Sequence, residues 1–90
     1  MDEDRFTDRT TIIYLVLSTL AESGTGEAPE SYIYLPINQR FGTHLDAFQN
    51  IVGIAADIGW LERRPGPTLR ITDDGRRLVR DVETSIKAQS

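Results

Sequence analysis

The sequence predicts a small α+β domain, mainly helical, with three helices, a β-hairpin and a C-terminal helix. Three observations predict it. Apolar residues recur at helical spacing on both sides of Gly42, the pattern of two helices meeting at a corner. A Pro65-Gly66-Pro67 turn separates two short runs, and Leu69 and Ile71 in the second alternate with polar neighbours, a hairpin pattern. Thr72, followed by Asp73 and Asp74, then opens a last apolar stripe in the manner of a capped helix.

Composition bounds the rest. Ninety residues fit one domain, expected over 1–90 with 1–7 and 88–90 frayed. Apolar residues are 39% and charged residues 27%, an ordinary globular balance. A chain this short hides only about 60–65% of its surface on folding, so its stability is modest without a partner. No cysteine is present, which excludes disulfides, cysteine-ligated zinc and a thiol nucleophile, and a single histidine excludes a histidine-rich metal site. The longest apolar run, Ile12 to Leu17, falls far short of the ~20 residues that span a bilayer. The start, Met1-Asp2-Glu3-Asp4, is acidic where a secretory signal is basic and then apolar, so a soluble cytoplasmic protein without membrane attachment is expected.

The elements follow in order. Thr7 or Asp8 caps a helix over 8–23, with apolar residues at 12, 13, 16, 17 and 20, and Gly24 as its C-terminal stop. Residues 24–31 read as a loop. Tyr32 to Leu35 reads equally as a brief strand or as the first turn of a helix distorted by Pro36. A short helix runs from Pro36 to Arg40 or Phe41, and Gly42 breaks it. Thr43 is an N-cap with Asp46 three residues on, and a helix over 44–58 buries Leu45, Phe48, Ile51, Val52, Ala55 and Ile58 until Gly59 ends it. The hairpin follows, with Trp60 in the core. The last helix presents Leu78, Val79, Val82 and Ile86 and frays near Lys87.

A two-helix corner followed at once by a tight hairpin is the winged helix-turn-helix arrangement. The residues resemble that superfamily locally, over about 34–82. Ile37-Asn38-Gln39-Arg40-Phe41-Gly42 resembles its second helix and turn, and Leu45, Phe48, Val52 and Ala55 through Gly59-Trp60-Leu61-Glu62-Arg63 its third helix and wing start. Leu69-Arg70-Ile71-Thr72-Asp73-Asp74-Gly75-Arg76-Arg77-Leu78-Val79 resembles the second wing strand and following helix of MarR-like and PadR-like regulators. The resemblance implies a double-stranded DNA partner, with the third helix in the major groove and the hairpin at the phosphates.

On that reading each residue has a role. Gln49 and Asn50 carry amides that bond adenine bidentately, and Gly53 lets backbone approach the groove. Thr43 and His44 sit at a helix N-terminus suited to a phosphate. Arg63, Arg64 and Arg70 neutralise phosphates, and Arg76 and Arg77 add to them. The plainer alternatives are a solvated face for Gln49 and Asn50, a packing role for Gly53, and pairing of Arg63 and Arg64 with Glu62 or other acids.

Charge both supports and opposes DNA binding. The chain holds 10 Lys and Arg against 14 Asp and Glu, a formal net of -4. Residues 62–90 nonetheless carry seven basic groups against five acids. Asp46 and Asp57 lie on the third helix, which has no Lys or Arg. The alternative is a protein-interaction adaptor or dimerisation module. No enzyme is expected, because no nucleophile and base can be assembled around one histidine and no phosphate loop occurs. No cofactor or metal is expected. The apolar first helix and the C-terminal helix are expected to form a homodimer.

Overall fold

A computed structural model describes residues 2–89 of the chain, with side chains over 10–87. The elements are α1 (Asp2–Glu22), β1 (Glu27–Pro29), α2 (Glu30–Phe41), α3 (Leu45–Ile58), β2 (Leu61–Arg64), β3 (Thr68–Ile71) and α4 (Asp73–Gln89). The three strands pair antiparallel in the order β1-β3-β2. This is the winged helix architecture expected, with β2 and β3 as the wing.

The core is one apolar cluster to which every element contributes. Ile12, Val16, Leu17 and Leu20 of α1 meet Ile33 and Ile37 of α2 and Phe48, Ile51, Val52 and Ala55 of α3. Ala28, Leu61, Leu69 and Ile71 close it from the sheet, and Val79 from α4. The helical periodicity of α1 is therefore real, but its boundaries differ from expectation. The helix starts at Asp2, so Thr7 and Asp8 lie within it and not at its start. Gly24 is not in the left-handed region. The residue that turns the chain after α1 is Gly26, at φ 73. At the other end α4 runs on past Lys87 to Gln89, and Ile86 is 56% exposed rather than part of the buried stripe. Met1 and Ser90, at the tips of the segments expected to fray, lie outside the described residues.

Residues 32–35 are helical. Pro29 takes extended backbone (φ -60, ψ 143) as the N-cap, and α2 begins at Glu30, whose carboxylate suits a helix start. Burial explains the choice. Ile33 and Ile37, four apart, are both buried, while Leu35 is 55% exposed. A strand would have put Ile33 and Leu35 on one face. Pro36 consequently sits inside the helix and denies the Tyr32 carbonyl its usual donor.

The strand lies just before, in the stretch read as a loop. Glu27-Ala28-Pro29 has little strand propensity. It pairs because β3 offers a free edge and Ala28 is small enough to enter the core: Glu27 stands opposite Arg70 and Ala28 opposite Leu69. The Ile71 amide donates to the Gly26 carbonyl at 2.8 Å and the Glu30 amide to the Pro67 carbonyl at 3.1 Å, fixing both ends of the ladder.

Candidate nucleic-acid interface

The angle between α2 and α3 is set by a small polar knot. Gly42, at φ 66, ends α2 with its amide on the Asn38 carbonyl. The Thr43 carbonyl then accepts from the Tyr34 hydroxyl at 3.0 Å and from Asn38 Nδ2 at 2.9 Å, and Asn38 also donates to the Tyr34 oxygen at 3.1 Å. The Tyr34 ring meets the fully buried Phe48 edge-on, with centroids 5.1 Å apart. Tyr34 and Asn38 thus join the turn to the first buried anchor of α3. Sequence reading placed neither in this role, because the bonds run to a backbone carbonyl that carries no sequence signal.

This knot also overturns the expected cap. The N-cap of α3 is His44, at φ -72 and ψ 154, and its side chain makes no capping bond. With the Thr43 carbonyl committed to Tyr34 and Asn38, the helix starts one residue later than a Thr43 cap requires. The Thr43–Asp46 capping box is absent.

α3 exposes a broad face. Asp46, Ala47, Gln49, Asn50 and Asp57 are all exposed. Leu45 and Ile58, expected inside, are 46% and 52% exposed, and Ile54 is 41% exposed. The buried set is confined to Phe48, Ile51, Val52 and Ala55, a narrower stripe than the apolar count of the helix suggested. A three-layer contact with α1, α2 and the wing covers about one side of a helix this short, so its two ends project beyond the core.

The wing arginines do not form one patch. A strand sends successive side chains to opposite faces. Leu61 and Arg63 of β2 therefore share the face that looks toward α3, while Glu62 and Arg64 share the outer face. Arg63 reaches back to α3, where its Nη2 donates to the Gln49 backbone carbonyl at 2.5 Å. Its guanidinium lies over Gly53, where a Cβ would come within 3.4 Å of the same nitrogen. Gly53 is open because the Arg63 side chain passes there, a reason that spacing alone does not reveal.

The outer face is acidic as well as basic. Arg64 pairs with Glu27 at 3.7 Å and Glu62 at 3.8 Å. Arg70 stands opposite Glu27 on one side and Glu62 on the other. Arg64 and Arg70 are therefore grouped with carboxylates and turned away from Arg63. In α4, Arg77 pairs with Asp74 at 3.4 Å, and Arg76 lies against Gly26. Arg63 is set apart: among the described residues no carboxylate lies within ion-pair distance of it. Of the eight residues expected at the site, the structure brings Gln49, Asn50, Gly53 and Arg63 together on and beside α3. Thr43 and His44 sit at its N-terminal end, and Arg64 and Arg70 lie on the far side of the sheet.

Among the described residues no cluster of three or more His, Asp or Glu side chains could hold a metal ion, and no helix is long and apolar enough to cross a membrane. The chain matches no protein-family model and no curated protein. It is similar to a solved structure, that of a MarR family transcriptional regulator from Streptomyces coelicolor, at 31% identity and a TM-score of 0.69. The match covers 84% of this chain and 53% of the regulator, so the chain spans about half the length of that relative. A helical corner, a hairpin packed on its second helix and this likeness agree: the chain has the winged helix-turn-helix fold.

Proposed function

We propose that the chain is the DNA-binding part of a transcriptional regulator, with α3 in the major groove and the wing beside it on the phosphates. The observation that carries this is Arg63. Among the described residues it has no carboxylate partner, and it is anchored on the backbone of α3 at the rim of the exposed helix face. Only one of its donors is engaged with Gln49, and a guanidinium has five, so others remain for a phosphate oxygen. Gln49 and Asn50 present amides to base edges, and Thr43 and His44 lie where a phosphate meets the helix start. The kinship with a MarR family transcriptional regulator supports the same reading. Arg64 and Arg70, paired or flanked by carboxylates, contribute little to it.

We further propose that the protein acts as a homodimer through α1 and α4, which pack together within the chain. Two copies let two modest half-site contacts add. A sedimentation mass of twice 10.1 kDa at micromolar concentration is expected, and a mass of 10.1 kDa would overturn the dimer.

The test is affinity for duplex DNA against salt. Binding should be measurable at ~50 mM salt and fall steeply as salt rises. Arg63→Ala should weaken it for every sequence alike and lower the salt slope by about one. A second reading, an adaptor that meets a protein, is favoured by the exposed Asp57 and Ile58 at the end of α3. Absence of DNA binding at ~50 mM salt, with a protein partner recovered instead, would decide for the adaptor.

A further inference from the structure

We infer that the α3 face reads A·T base pairs, by an amide on adenine and by aliphatic side chains on thymine methyl groups. The inference rests on the proposed DNA-binding function and adds the class of sequence recognised.

The geometry comes first. With 3.6 residues per turn, Ala47, Asn50 and Ile54 fall on one strip of α3, at spacings of three and four. All three are exposed. Ile54 is 41% exposed, at the edge of the stripe where the helix buries Ile51 and Ala55. The strip faces away from the core and lies in the first ten residues of the helix, the part that meets base edges when such a helix enters the groove.

The chemistry of the strip is selective. In the major groove, adenine offers an acceptor and a donor side by side, which an asparagine amide matches with two bonds, and thymine offers a methyl group that fits apolar side chains. Asn50 supplies the first, and Ala47 and Ile54 supply the second. Guanine offers two acceptors and calls for a paired donor, in practice arginine or lysine. α3 contains neither. Arg63, from the wing, is held on the Gln49 carbonyl beside the helix. Within the first ten residues of α3, Asp46 is the one carboxylate suited to a cytosine amino group, so it admits a G·C pair where it touches. Its neighbours on the strip do not.

Removing the thymine methyl tests this directly. Three duplexes of one length are compared at one salt concentration: mixed A·T, mixed G·C, and the A·T duplex with uracil for thymine. The A·T duplex should bind on the order of 10-fold tighter than the G·C duplex. Uracil substitution should weaken A·T binding several-fold. Ile54→Ala should remove that sensitivity to uracil, and Asn50→Ala should reduce the A·T over G·C ratio. Both positions are at the surface, and circular dichroism verifies that the variants fold. Equal affinity for A·T and G·C duplexes, or a G·C preference, would overturn the inference while leaving DNA binding in place. So would an A·T preference indifferent to uracil and to both substitutions, which assigns the selectivity to groove shape. Failure to bind any of the three duplexes would overturn the DNA-binding function itself.

Discussion

The root of the wing and its blade are held by different forces. At the root, Thr72 does three things. Its amide donates to the Trp60 carbonyl at 3.1 Å, its Oγ1 donates to the Gly59 carbonyl at 2.5 Å, and the same oxygen accepts from the Gly75 amide at 3.1 Å. The strand ends and the start of α4 are thereby tied in one backbone-centred knot above the buried Leu61, Leu69 and Ile71. The blade has no such knot. Its turn is a bare Pro65-Gly66-Pro67, with Gly66 at φ 104, and among the described residues Arg63 and Arg64 are held by surface contacts to the Gln49 carbonyl, Glu27 and Glu62. The difference separates two kinds of residue. Changes at the root alter whether the wing exists, and changes on the blade alter what it touches.

The largest effect is expected at Gly75. A Cβ there would run into the Trp60 carbonyl and come within 2.8 Å of Ile71 Cγ1. The neighbour is backbone, so it has little room to give. Gly75→Ala should destabilise the fold by about 3 kcal/mol, near the top of the range for overpacking. For a domain of this size that is a loss of roughly 12–24 °C in Tm, read by thermal unfolding. A Tm within a few degrees of the parent would show the root to be looser than its contacts state.

Thr72 comes next. Thr72→Ala removes the N-cap bond of α4 and the bond to Gly59, and should lose about 1–2 kcal/mol. Thr72→Ser keeps the hydroxyl and should recover most of that loss. If serine fares no better than alanine in a urea titration, the methyl packing and not the two hydrogen bonds holds the root.

The root was legible in the sequence and the blade was not. Thr72, Asp73 and Asp74 announce a helix start because capping is local chemistry, complete within a few residues. Gly42 and Gly59 likewise mark the ends of α2 and α3, where both take left-handed φ values. The hairpin was legible from alternation. That same alternation places Arg63 and Arg64 on opposite faces, so grouping them as one patch overlooked the period of the strand. Glu27 was out of reach for another reason. It enters the site only because β1 pairs with β3, and nothing in Glu27-Ala28-Pro29 favours a strand over a loop. The short buried stripe of α3 was hidden too: Leu45 and Ile58 fit the helical period, but the core ends before it reaches them.

The smallest effect is expected at Arg64, and it sharpens the comparison most. Its ion pairs to Glu27 and Glu62 are long, and its side chain is 47% exposed. Such pairs stabilise by about 0–1 kcal/mol, because water screens the charges and two long side chains lose freedom in meeting. Arg64→Ala should therefore shift the urea midpoint barely at all. On the proposed mode of binding it should also leave the salt slope for duplex DNA near the parent value, since Arg64 shares its face with carboxylates and not with α3. Arg63→Ala differs by one position in sequence and should lower that slope by about one. The pair of variants tests the strand alternation itself. Equal losses of affinity would mean that the wing rotates on DNA to present both faces, and unequal losses, with Arg63 dominant, that the face packed beside α3 is the one that meets the phosphates.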